Sequence, residues 1–123
     1  MALICSFEKV GYMKVAFHLS QIQTNEVRKA LRNIKHLREQ EPEAEIHAVS
    51  NTSAVTMMKK EGSFEEKITE LIEKHDIQMK ACANSIEGTK MKQKDLIDGV
   101  EVVPSGVAEL GQLQDQGFGY IKP

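Results

Sequence analysis

Ser63-Phe64-Glu65-Glu66-Lys67-Ile68-Thr69-Glu70-Leu71-Ile72-Glu73-Lys74-His75-Asp76-Ile77-Gln78-Met79-Lys80-Ala81-Cys82 is the stretch on which the fold turns. Phe64, Ile68, Leu71, Ile72 and His75 recur at the spacing of one helical face. Ser63 followed three residues later by Glu66 is a capping-box pattern, which predicts a helix start there. The helical period then gives way to Ile77-Gln78-Met79-Lys80-Ala81, a strand that runs out at Cys82. A helix leading straight into a strand is half of a βαβ unit, and the rest of the chain repeats it.

Upstream, Met13 to Leu19 reads as a strand. Val27, Ala30, Leu31, Ile34 and Leu37 follow at helical spacing in a helix starting near Thr24. Pro42 and the acids around it stop that helix. Glu45-Ile46-His47-Ala48-Val49 is the next strand, followed by a turn and a short helix over Ala54–Lys60 closed by Gly62. Downstream, Asn84 to Lys94 reads as a polar loop with at most one helical turn, near Asp95-Leu96-Ile97. Asp98-Gly99 turns the chain into Val100–Val103, and Pro104-Ser105-Gly106 passes to a helix carrying Val107, Leu110 and Leu113. Phe118 to Ile121 adds a short fifth strand. Strands alternating with helices predict an α/β fold with a mostly parallel sheet, since parallel neighbours need crossovers and those crossovers are right-handed.

The chain has 123 residues, the size of one domain. Residues 1–12 lack periodicity and read as an N-terminal appendage to a domain spanning 13–123. With 41% apolar and 28% charged residues the composition is that of a soluble globular protein. A net charge of −2 without a basic block argues against nucleic-acid binding. No apolar run approaches the roughly 20 residues of a membrane span, and the N-terminus lacks the pattern of a secretory signal, so a cytoplasmic location is expected. Cys5 and Cys82 are read as thiols, because nothing else suggests an oxidising compartment.

In parallel sheets ligands gather at the carboxyl ends of strands, so the loops after Leu19, Val49, Ala81 and Val103 are where chemistry is sought. Cys82 stands at such an end. Lys90, Lys92 and Lys94 in the following loop would favour its thiolate if the loop folded back over the sulfur. The blander reading makes Cys82 a small buried apolar residue and the lysines a solvated loop. With no second cysteine three positions away, any disulfide chemistry needs another protein. His18, at the end of the first strand, is a weaker candidate. The four histidines show no paired ligand spacing, and the phosphate-loop and dinucleotide fingerprints are missing, so neither metal nor cofactor is expected.

From Val15 onward the chain resembles the DsrE/DsrF-like family of small sulfur-relay proteins. The resemblance rests on Val15-Ala16-Phe17-His18-Leu19, Ala30 with Asn33, Cys82-Ala83-Asn84-Ser85, Val103-Pro104-Ser105-Gly106-Val107-Ala108-Glu109-Leu110 and the ending Gln114 to Pro123. It implies a three-layer α/β/α sandwich with a five-stranded sheet and assembly into homotrimers or homohexamers. It also implies a persulfide-carrying role for Cys82, with sulfur donor and acceptor proteins as partners. Asn84-Ser85-Ile86 departs from the small-residue and arginine pattern of the proven carriers.

On this reading Asn84, Ser85 and nearby backbone donors stabilise the thiolate, Lys90 adds charge, and His18 and Asn51 complete the substrate side. Two other readings compete with a sulfur carrier. One is a non-enzymatic oligomeric module in which Asn51, Cys82 and Asn84 line a small-ligand pocket. The other is a scaffold subunit that uses Phe118, Tyr120 and Ile121 as an interface.

Overall fold

The computed structural model describes residues 12–123. Cys5 and the expected appendage, Tyr12 apart, lie outside the described residues. Five strands are present: β1 (Lys14–Leu19), β2 (Glu45–Ser50), β3 (Gln78–Cys82), β4 (Glu101–Val103) and β5 (Gly119–Ile121). They form one sheet in the order β4-β3-β2-β1-β5, and every neighbouring pair is parallel. The helices are α1 (Thr24–Gln40), α2 (Glu65–His75), α3 (Ala83–Gly88) and α4 (Gly106–Asp115). The architecture is therefore the expected α/β sandwich.

Alternation along the strands divides the core in two. Val15, Phe17 and Leu19 of β1 point into the larger cluster with Val27, Ala30, Leu31 and Ile34 of α1 and Ile68 and Leu71 of α2. Ala16 and Val49 point to the opposite face, where Leu110, Leu113 and Phe118 cover them. The final crossover, α4, thus runs from β4 at one edge of the sheet to β5 at the other. It packs across the face that α1 and α2 leave free.

Two polar links fasten these elements, the first of them buried. Lys80 on β3 is only 5% exposed, and its ammonium donates to the Glu109 carboxylate on α4. Arg38, near the end of α1, donates from Nε to the His75 carbonyl at 2.8 Å and from its other nitrogens to the carbonyls of Glu41, Pro42 and Asp76. Its guanidinium satisfies orphan carbonyls at the carboxyl ends of both α1 and α2.

The local expectations fail in four places. Helix α2 starts at Glu65 behind an uncapped Phe64, so the Ser63–Glu66 box does not form. Phe64 instead packs partly buried against the core, and the Glu65 carboxylate turns back to accept from the Glu61 N–H. The helix expected over 54–60 is a 3-10 turn, Thr52–Met58, capped by Lys59 rather than closed by Gly62. Residues read as loop from Asn84 form α3, because Ile86 is drawn into the core. Val107 belongs to α4 but lies on its exposed side.

Candidate functional site

Cys82 is the last residue of β3 and caps α3. Its side chain sits where two helix N-termini meet. Asn84 and Ser85 lie in the first turn of α3 directly behind it, and Gly106 opens α4 beside it. The Ser85 hydroxyl oxygen accepts from the Thr52 N–H at 2.8 Å. Burial pushes the Cys82 thiol up, but the Ser85 hydroxyl and the N–H groups of Gly106, Ser85 and Asn84 outweigh it. The thiol is held below its ordinary value.

The second helix N-terminus comes this close because residue 106 is glycine. A Cβ there would lie 3.0 Å from the Asn51 Cβ, 3.2 Å from the Cys82 Cβ and 3.5 Å from Cγ1 of Val49. Ser105 fixes the geometry as the N-cap of α4, its hydroxyl accepting from the Ala108 N–H at 3.1 Å.

Beside the sulfur runs a chain of side chains from neighbouring strands. Asn51 directly follows β2 and is 7% exposed. Its Oδ1 lies 2.8 Å from Nε2 of His18 on β1, and Nδ1 of His18 lies 2.6 Å from the Tyr120 hydroxyl on β5. With Asn51 Oδ1 as acceptor, Nε2 of His18 is the donor of that bond.

Of the residues singled out in the sequence, Cys82, Asn84 and Ser85 are brought together, and His18 and Asn51 adjoin them. Lys90 is not among the groups that hold the sulfur. It lies exposed two residues beyond α3 with a left-handed backbone, φ 66°. Two residues of the site were missed in the sequence reading. Gly106 was legible only as part of a strand-to-helix junction, and Tyr120 was read as an interface residue. Cys82 is a free thiol, and no group of three or more His, Cys, Asp or Glu side chains among the described residues is placed to hold a metal.

The model of the DsrE/DsrF-like family matches residues 13–123, nearly the whole described chain. The chain belongs to the DsrE/DsrF-like family. Solved structures agree. The protein of unknown function MTH1491 from Methanobacterium thermoautotrophicum superposes with a TM-score of 0.86 at 26% identity, covering 90% of this chain and 99% of that one. The ychN protein from E. coli gives a TM-score of 0.80 at 20% identity, with the same coverages. BT1422 from Bacteroides thetaiotaomicron gives 0.73 at 13% identity over 89% of this chain and 94% of that one. These last two likenesses speak to the fold alone. No curated protein matches this chain. Membership in the DsrE/DsrF-like family points to a sulfur-relay type of role, and among the described residues no helix is long and apolar enough to cross a membrane.

Proposed function

We propose that this DsrE/DsrF-like chain is a cytoplasmic sulfur carrier that holds sulfane sulfur as a persulfide on Cys82. The observation that carries the reading is the meeting of two helix starts at Cys82: the residue caps α3, and Gly106 at the start of α4 comes so close that a Cβ there would lie 3.2 Å from the Cys82 Cβ. A buried apolar cysteine has no use for such a cradle, whereas a thiolate that must be both nucleophile and leaving group does.

The chemistry balances without a cofactor. The Cys82 thiolate attacks the outer sulfur of a donor persulfide, R–S–SH. A new S–S bond forms to Cys82 as the donor's S–S bond breaks, and its electron pair leaves on R–S⁻. In the second half an acceptor thiolate attacks the outer sulfur on Cys82, and the departing electron pair returns to Cys82 within the cradle. With 4% of its surface exposed, Cys82 suits a slim sulfur-bearing group better than a bulky electrophile. Donor and acceptor are proteins or small thiols that present such a group.

We further infer self-association into a homotrimer or homohexamer. The short edge strand β5 leaves Tyr120 43% and Ile121 40% exposed, an open apolar margin that another copy would cover.

Intact-mass measurement of the reduced protein and of Cys82→Ser after incubation with a sulfane-sulfur donor tests the carrier reading. One added sulfur that depends on Cys82 supports it. No gain in the wild type, or equal gain in the variant, rejects it.

A further inference from the structure

The line from Tyr120 through His18 to Asn51 follows the strand order β5-β1-β2 and stops beside β3, where Cys82 stands. We propose that Tyr120 and His18 are positioning residues that hold the Asn51 carboxamide as hydrogen-bond donor to the outer sulfur carried on Cys82. The proposal rests on the sulfur-carrier reading of the site.

The inner sulfur is already served. The groups that hold its thiol below the ordinary value are Ser85, Gly106 and Asn84, and Asn51 is not one of them. A second sulfur bonded to Sγ extends past this cradle and needs a donor of its own when it carries negative charge. Asn51 is the polar side chain that shares the Gly106 contact with Cys82. Its Oδ1 is taken by His18, and none of the side-chain hydrogen bonds among the described residues uses its Nδ2 amide. An amide nitrogen left free in this way, on a residue only 7% exposed, can donate to a ligand atom that arrives during turnover.

His18 decides which way that amide faces. An imidazole protonated on Nε2 accepts no hydrogen bond there, so Asn51 must turn its oxygen to the ring and its N–H pair away. Tyr120 bonds the other ring nitrogen, its hydroxyl 2.6 Å from Nδ1, and so holds the imidazole in place against Asn51. Removing either group frees the carboxamide to flip. Tyr120 is 43% exposed on an edge strand, so Tyr120→Phe cuts the line at its outer end without opening the core.

The test loads wild type, Asn51→Ala, His18→Ala and Tyr120→Phe with inorganic polysulfide and follows alkylation of the outer sulfur by iodoacetamide across pH. The same profile is recorded for each unloaded thiol. A lost donor leaves the outer sulfur holding its proton to higher pH. The alkylation midpoint of loaded Asn51→Ala is therefore expected to rise by about one unit, the size of one hydrogen bond to a charged group. It should rise by more than the midpoint of the same variant unloaded. His18→Ala and Tyr120→Phe should shift it in the same direction by less, and Tyr120→Phe should add nothing in the Asn51→Ala background. Unchanged loaded profiles, or equal shifts with and without the extra sulfur, overturn the proposal. If the wild type takes up no sulfur, the carrier reading and the outer-sulfur role fail together. The positioning line is then judged alone from the nitrogen shifts of His18. A ring protonated on Nε2 in the wild type but mixed in Tyr120→Phe upholds it, and the same ring state in both overturns it.

Discussion

Gly106 and Cys82 lie 24 positions apart on different strand ends, yet a methyl group placed on the glycine would sit 3.2 Å from the Cys82 Cβ. The same methyl would lie 3.0 Å from the Asn51 Cβ, so no direction of relief is free of a neighbour. Gly106→Ala is expected to push the start of α4 off the sheet, costing about 1–3 kcal/mol of stability. It also withdraws one N–H from the sulfur. Thermal unfolding reads the first effect, and a slower alkylation of Cys82 at neutral pH reads the second.

Ser85 accepts from the Thr52 N–H, and its hydroxyl is first among the groups that hold the Cys82 thiol down. Ser85→Ala removes the strongest of the hydrogen bonds that lower the thiol, so its titration should move up toward the ordinary value and neutral-pH alkylation should fall about tenfold. The effect on stability has a definite sign. Because the folded thiol is held below its unfolded value, its contribution is full above the ordinary thiol range of about 8.5. It is lost as pH falls through the folded value. The variant should therefore gain less stability than wild type when pH is raised through that window, as urea titrations at several pH values would register.

Lys80 and Glu109 pair beneath α4, with Lys80 almost wholly buried. Glu109→Ala leaves an ammonium without its partner and should cost about 3–5 kcal/mol, whereas the double change Lys80→Met with Glu109→Leu should come close to neutral. Denaturant unfolding of the two single variants and the double variant closes that cycle.

Arg38 serves four carbonyls at the joint between α1 and α2, among them His75 at 2.8 Å. Arg38→Ala is expected to cost roughly 2 kcal/mol, more than a surface charge change, because several acceptors lose their donor at once. Arg38→Lys should recover only part of it, since an ammonium cannot fork across both helix ends. Their unfolding midpoints supply the comparison.

The alternation of strand and helix was legible because each element obeys its own period over enough residues. Thr24–Gln40 and Glu45–Ser50 fall where the apolar spacing puts them. The place of Cys82 at the carboxyl end of β3 was legible for a topological reason, since alternating strands and helices put such ends on one edge of a parallel sheet. Short-range signals were less faithful. The Ser63–Glu66 box yields to the burial of Phe64, and α3 is too short for Ile86 to reveal a period. Gly106 and Tyr120 escaped because their roles depend on contacts between distant segments. A glycine after Pro-Ser reads as a turn until the sheet brings Cys82 and Asn51 against it. The tyrosine reads as surface until β5 is paired with β1.

The final crossover places Gly106 and Tyr120 in the last stretch of the chain, with β5 returning to pair with β1, Val15 opposite Gly119. Domains take shape during synthesis from the N-terminus onward, and long-range pairings close last. A nascent chain can lay β1, β2 and β3 side by side while Cys82 still lacks the donor from α4 and Asn51 lacks its hold through Tyr120. The surroundings of Cys82 are thus a property of the finished polypeptide, and a chain stalled on the ribosome before Gly106 lacks the share of them that α4 supplies.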